Sequence, residues 1–419
     1  TRSTAWPVVN TSKLRIEYQC PQCGAPAELS ETDRLFDCAF CRVKSYLLAS
    51  GYFRYLLPHK ATTDQTLIYF PYWRFRGMLF AYGPQGVSHR FVDASHQAVA
   101  RDDFPISVGL RSQALKLRFV SPDTPGHFIH PQVDRVAATE QLAGRFTQEF
   151  PTPILQQAHV GETLSMIYAP FYIGDGLVDA VLDRPTGHRP EAADLTEKLP
   201  GGAPDWRIRF LATLCPACGW DLQGERDAHV LACRNCQSLW RPGRRRFERV
   251  GFARVESRSP EAVYLPFWRI QAEVGGLALE SYADLVRAAN LPRSVQPGWE
   301  TRPFRFWAPA FKVRPGVLLR LARALTLAEP FAAKRQTLPA QGMQTVNLPV
   351  TEALDIIKIN LAGFLRPASR VPELLPALTI RPRKYLLVYL PFEARPHDLV
   401  NDDLAIAVNR SHLRLAANL

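Results

Sequence analysis

The sequence predicts an α+β, β-rich fold made of two internally duplicated halves, each a Cys₄ zinc ribbon fused to a β-rich domain. Three observations lead there. All eight cysteines of the 419 residues fall into four C-x-x-C pairs. The two groups of pairs are related by one offset of 195 residues, from Cys20 to Cys215. The same offset carries Tyr69-Phe-Pro-Tyr-Trp-Arg74 onto Tyr264-Leu-Pro-Phe-Trp-Arg269. A shared spacing of this kind marks a repeated unit.

The first cysteine group reads Cys20-Pro-Gln-Cys23-Gly24 and Cys38-Ala-Phe-Cys41; the second reads Cys215-Pro-Ala-Cys218-Gly219 and Cys233-Arg-Asn-Cys236. Fourteen residues separate the inner cysteines of each group. A C-x-x-C turn lets two thiolates grip one ion, and glycine after the second cysteine permits a positive φ. Two such turns facing each other give a tetrahedral S₄ site. The spacer suits a strand, a turn and a returning strand, with Ser30 to Asp33 and Gly224 to Asp227 as the turns. The cofactor expected is Zn²⁺ at two sites, with iron in a rubredoxin-like site as the rival occupant. A closed S₄ site leaves no position for water or substrate, so a structural role is favoured over catalysis.

The domains expected are ribbon 1 over 1–50, a β-rich domain over 51–205, ribbon 2 over 206–250 and a second β-rich domain over 251–419. A third motif, Tyr168-Ala-Pro-Phe171, recurs as Tyr389-Leu-Pro-Phe392 at an offset of 221, so the second half has 26 more residues between motifs. The helical stretch from Pro315 to Lys334 is the expected insertion. The Tyr-x-Pro-aromatic runs read as strands, and their prolines predict a bulge, a kink or an edge. Trp73/Arg74 and Trp268/Arg269 read either as stacking and phosphate-binding pairs or as core anchors with ion-paired arginines; their repetition favours the second. Helices are expected over 134–150, over 280–290 and from Val350, with Thr351 as its cap.

Lys and Arg number 51 against 39 Asp and Glu, a net charge of +12. That balance admits nucleic acid, an anionic membrane surface or an acidic protein as partner, and equally a basic protein with no such target. The densest cluster is Arg241, Arg244, Arg245, Arg246 and Arg249, with Glu248 as the single acid, and it is the candidate anion-binding segment. The ribbon 1 counterpart, Ser45 to Gly51, carries no such charge. His127 and His130 read as loop residues, and Gly174-Asp175-Gly176 reads as a turn. No run of about 18 uncharged apolar residues occurs; the nearest, over 315–333, is broken by Arg320 and Arg323. The first twelve residues contain no apolar signal core. No phosphate-binding glycine loop, G-x-S-x-G elbow or H-E-x-x-H helix is present.

At the ribbons and the Tyr-x-Pro-aromatic-Trp motifs the chain resembles bacterial tandem zinc-ribbon proteins. Their ribbons have the form Cys-Pro-x-Cys-Gly-Ala-Pro followed by Cys-x-Tyr/Phe-Cys, as in Cys20 to Pro26 and Cys38 to Cys41. The resemblance implies zinc-dependent modules. It links the chain to partners of membrane-stress or membrane-scaffold proteins on one side and to replication or transcription ribbons on the other. It rests on motifs in both halves and implies no reaction. The function expected is a non-enzymatic scaffold or accessory subunit of a larger protein assembly, cytoplasmic and at most peripheral to a membrane-bound complex. The alternatives are a nucleic-acid-binding ribbon protein and a rubredoxin-like electron-transfer or metal-handling protein.

Overall fold

A computed structural model describes residues 14–109, 111–147, 150–330 and 334–416. The chain opens with two short hairpins, β1 (Arg15–Gln19) with β2 (Pro26–Ser30) and β3 (Leu35–Asp37) with β4 (Lys44–Leu48). β5 (Phe53–Leu56) leads into a long hairpin of β6 (Ile68–Gly83) and β7 (Gly86–Gln97). Then come α1 (Arg111–Ala114), β8 (Lys116–Phe119), β9 (His127–Ile129), α2 (Arg135–Thr147) and β10 (Gln156–Ile173). β11 (Leu177–Asp179), β12 (Arg184–Pro185), α3 (Ala192–Thr196) and β13 (Gly201–Gly202) close the first half.

The second half begins with β14 (Arg209–Ala212), β15 (Leu231–Cys233), β16 (Ser238–Pro242) and β17 (Phe247–Val250). β18 (Phe252–Val255), β19 (Val263–Gly275), α4 (Tyr282–Ala288), β20 (Phe306–Pro309), α5 (Pro315–Ala328) and β21 (Lys334–Arg335) follow. The chain continues through α6 (Val350–Asp355), α7 (Ile357–Phe364), a 3₁₀ turn at Ala368–Arg370, α8 (Val371–Ala377) and β22 (Thr379–Ala394). It ends with β23 (Asp398–Asn401), β24 (Ile406–Asn409) and α9 (Arg410–Ala416).

Strand outweighs helix, as expected, and the large sheets are built on the Tyr-x-Pro-aromatic runs. β6 pairs antiparallel with β10, and Tyr69, Pro71 and Trp73 lie opposite Pro170, Tyr168 and Met166. β19 pairs antiparallel with β22, and Tyr264, Pro266 and Trp268 lie opposite Pro391, Tyr389 and Leu387. The two registers are the same. Each inner strand is also flanked in parallel on its far side, β10 by β5 and β22 by β18.

The prolines do not bulge these strands. The register shifts lie away from the Tyr-x-Pro prolines, at Gly161/Thr163 and at Gln271/Ala272, the second beside Pro382 of β22. Pro71 sits where β7 leaves β6 and β9 begins, so its missing N–H breaks no ladder bond there. Its carbonyl still accepts from Ala98 N at 2.9 Å, and Pro266 O accepts from Ala310 N at 3.0 Å. The match extends further. Gln132 N and Val133 N donate to Ala98 O, and Asn347 N and Leu348 N donate to Ala310 O. The indole Nε1 of Trp73 donates to Val133 O at 2.8 Å, and that of Trp268 donates to Leu348 O at 2.9 Å. Both indoles are fully buried. The offset rises from 195 at Pro71/Pro266 to 212 at Ala98/Ala310, so most of the added length enters between β19 and β20, where α4 lies. It does not enter at α5, the stretch singled out from the sequence.

The expected helices form as α2, α4, α5 and α6. Ser281 caps α4 through a capping box with Asp284. Thr351 is not the cap of α6: Pro349 occupies that position, with no side-chain bond. His127 lies in β9 rather than in a loop, and His130 follows it. Gly174 to Gly176 form the turn between β10 and β11, closed by Gly174 N donating to Gly176 O. Among the described residues no helix is long and apolar enough to cross a membrane. The largest core joins the far ends of β6 and β10, through Phe80 and Val160, to Trp268, Leu321 and Ile359 of the second half.

Candidate metal centres

Each C-x-x-C turn folds the same way for a local reason. Cys20 N donates to Ala25 O and Gly24 N donates to Cys20 O; Cys215 N donates to Trp220 O and Gly219 N to Cys215 O. That turn needs a left-handed residue, and Gly24 and Gly219 supply it at φ of 72° and 73°. In the second turn of each group Arg42 and Gln237 take the same conformation, at 59° and 54°.

The turns bring all eight cysteines into two separate groups of four, with the Sγ atoms of each group within 4.8 Å of one another. Cys20 and Cys41 stand 3.7 Å apart, as do Cys23 and Cys38. The second group shows 3.6 Å for Cys215 to Cys236 and 3.5 Å for Cys218 to Cys233. A tetrahedron with metal–sulfur bonds of ~2.3 Å has edges of about 3.8 Å. Two opposite edges of each group therefore match that tetrahedron, and the remaining separations stay within 4.8 Å, so each group could hold one metal ion.

Their surroundings divide the thiols: Cys38, Cys215 and Cys218 are lowered, while burial and hydrogen bonds from the neighbouring thiols push Cys41 and Cys233 up to about 12. The backbone N–H of Cys41, and after it that of Phe40, lowers the Cys38 thiol to about 6 against the effect of partial burial. The Asn235 side chain, followed by the Trp220 N–H, lowers Cys218 to about 6. Ser238 Oγ accepts from Trp240 Nε1 at 2.7 Å and lies within hydrogen-bond reach of the Cys236 sulfur, 2.9 Å away. Sequence reasoning did not single out Asn235 or Ser238; a hydroxyl two residues past a ligand cysteine was the available signal. Among the described residues no other cluster of three or more His, Cys, Asp or Glu side chains has ligating geometry, and His127 and His130 belong to neither group.

The spacers behave unlike simple hairpins. β2 and β3 lie in different sheets: β2 pairs with β1 on the large sheet, β3 with β4. The turn between them anchors ribbon 1. Glu31 is buried and accepts from Arg74 Nη1 and, at 2.8 Å, from Arg76 Nη1; Arg74 Nη2 reaches Asp93 at 2.9 Å. Burial raises the Glu31 carboxyl, and the Arg74 and Arg76 charges outweigh it and hold the group below its ordinary range. Arg74 is thus an internal ion-pair residue, and Arg269 is half-buried beside Arg305 and Glu329. Neither offers its charge, with its neighbouring tryptophan, as an open stacking and phosphate-binding pair.

The two cysteine-bearing segments also join each other. β14, the strand entering ribbon 2, pairs with β4 of ribbon 1. Tyr46 OH donates to Ala228 O at 3.1 Å, and Arg34 N and Leu35 N both donate to Arg226 O. The contact is not reciprocal. The counterpart of Tyr46, 195 residues on, is Arg241, whose guanidinium pairs with Glu248 at 2.8 Å.

The basic segment forms the β16–β17 hairpin. Arg244, Arg245 and Arg246 are exposed at its tip and Arg249 is exposed on β17. None of these four has an ion-pair partner among the described residues. Arg241 also lies over the Tyr385 ring at 5.8 Å. Each ribbon further exposes an aromatic residue beside a C-x-x-C turn, Phe40 at 70% and Trp220 at 59%. Set against protein-family models, curated proteins and solved structures, the chain gives no match.

Proposed function

We propose that the chain is a non-enzymatic, zinc-binding scaffold or accessory subunit of a larger protein assembly, built from two copies of one design. The observation that carries this reading is the pair of thiol tetrahedra. In each, sulfur fills every corner, the site has no open position, and the ribbon is tied into neighbouring structure through Glu31 or through β14. Metal held in this way supports folding. Zn²⁺ fits the S₄ geometry at both sites, with Cys20, Cys23, Cys38 and Cys41 holding one ion and Cys215, Cys218, Cys233 and Cys236 the other. Iron in the same cages is the rubredoxin-like alternative, which an absorption spectrum separates at once: zinc protein is colourless. The matched registers and Trp–carbonyl bonds of β6/β10 and β19/β22 support the duplication. The scaffold reading is tested by isolating the native protein from its source. A stable complex with other subunits is expected; a monodisperse monomer with no companion would count against it.

A second reading, nucleic-acid binding, rests on the unpaired arginines at the β16–β17 tip. Under it, affinity for DNA or RNA falls steeply with salt. Affinity retained after reversing Arg244, Arg245 and Arg246 would remove that tip from the account.

A further inference from the structure

A cleft of about 920 Å³ lies where the β6–β7 hairpin of the first half meets α5, α7 and the start of α8 in the second. This is within the range of roughly 300–1,000 Å³ of small-molecule sites. Its wall is apolar: Val87, Leu319, Ala324, Leu327, Ile359 and Ala362 line it. Three arginines, Arg320, Arg323 and Arg366, line it as well, and all three are exposed. Among the described residues no aspartate, glutamate or histidine contributes to the lining.

The charge is uncompensated locally. Arg320 Nη2 donates to Ala407 O and Arg366 Nη1 to Leu365 O, both backbone carbonyls. Arg323 has no hydrogen-bond or ion-pair partner among the described residues. Burial, and then the neighbouring Arg366 charge, lowers its pKa. Like charges brought together without an acid are relieved by a bound anion, and guanidinium forks suit phosphate and carboxylate. Gln85, Asn360 and Ser369 add neutral polar side chains to the lining. Asn360 is 6% exposed, lines the cleft, and its amide makes no hydrogen bond among the described residues.

We propose that this cleft binds a small amphipathic anion, a single alkyl chain carrying a phosphate or carboxylate head. The chain lies along α5 and α7, and the head is held by Arg323 and Arg366. The wall belongs largely to helices of the second half, so the site gives that half a role the first does not share. This reading is independent of the metal sites.

Calorimetric titration of the zinc-loaded full chain with dodecyl phosphate, kept below its micelle concentration, tests it. One saturable site per chain is expected, with much weaker binding of inorganic phosphate, which lacks the chain, and of dodecyl maltoside, which lacks the charge. R323E/R366E removes two charge-assisted contacts and should weaken binding by roughly tenfold or more. A second variant probes the wall. A Cβ at Gly363 would meet only Val87 Cγ2, at 4.0 Å, so Gly363→Leu fits without a backbone clash and projects into the chain's path. It should block dodecyl phosphate while leaving the thermal melt unchanged. Equal binding of dodecyl maltoside, no saturable site, or dodecyl phosphate affinity unchanged in Gly363→Leu would overturn the proposal.

Discussion

Replacing Glu31 by glutamine should release ribbon 1 from the large sheet. The substitution keeps the shape and removes the charge. Arg74 would then face Asp93 alone, and the buried Arg76 guanidinium would lose its carboxylate at 2.8 Å. Breaking a buried ion pair from one side costs about 3–5 kcal/mol, because the remaining charge stays out of water. Amide hydrogen exchange of the β1–β2 ladder, where Ile16 faces Leu29, reads local opening directly and does not require the whole chain to unfold as one unit. A loss of that size accelerates exchange by roughly two to four orders of magnitude. The pH dependence fixes the sign. The folded carboxyl is held below its unfolded value of about 4.3, so its stabilisation is complete above that value and fades as pH falls through the folded value. The gap between wild type and Glu31→Gln should therefore narrow in acid. The exposed pair of Arg383 with Glu273 supplies the control, since a surface pair contributes about 0–1 kcal/mol. If Glu31→Gln changes exchange no more than Glu273→Gln does, the anchoring role is wrong.

Other outcomes follow from single sites. Cys38→Ser should halve the bound metal from about two ions per chain to about one, read by elemental analysis, because each Cys₄ group holds one ion. Trp73→Phe and Trp268→Phe should each cost about 1–3 kcal/mol in denaturant unfolding, since each leaves a carbonyl, that of half-buried Val133 or of buried Leu348, without its indole donor. Equal costs would match the equivalent positions; a loss confined to one would argue against equivalence. Burial raises the Asp355 carboxyl to about 6, against the nearby Arg135 charge. A raised carboxyl favours the folded state when protonated, so its contribution weakens as pH rises from about 4 to 6. Asp355→Asn should flatten that slope and raise stability at pH 7 by about 1–2 kcal/mol, reduced for partial solvent exposure; a melt unchanged from pH 4 to 7 in both proteins would refute it.

What the sequence made legible was local. C-x-x-C turns and the strand-forming Tyr-x-Pro-aromatic runs follow from residues close along the chain. The offset of 195 paired the motifs that the registers of β6/β10 and β19/β22 then matched. What stayed hidden was long-range. Glu31 read as a turn residue because Arg74 and Arg76, its partners, lie more than forty positions away. β14 read as part of ribbon 2, yet its edge completes the sheet of ribbon 1. Proline in a strand predicted distortion, and the structure avoids it by changing neighbours at Pro71. Thr351 failed as a cap because the cap position of α6 lies two residues earlier, at Pro349. The cleft needed a β-hairpin from one half and helices from the other, a juxtaposition no periodicity reports.

The central claim is that both Cys₄ groups are closed, structural metal sites. X-ray absorption at the zinc edge of the native protein tests it most directly. The account predicts four sulfur neighbours at ~2.3 Å for every zinc, with no oxygen or nitrogen in the first shell. A coordination shell holding a light atom would contradict it.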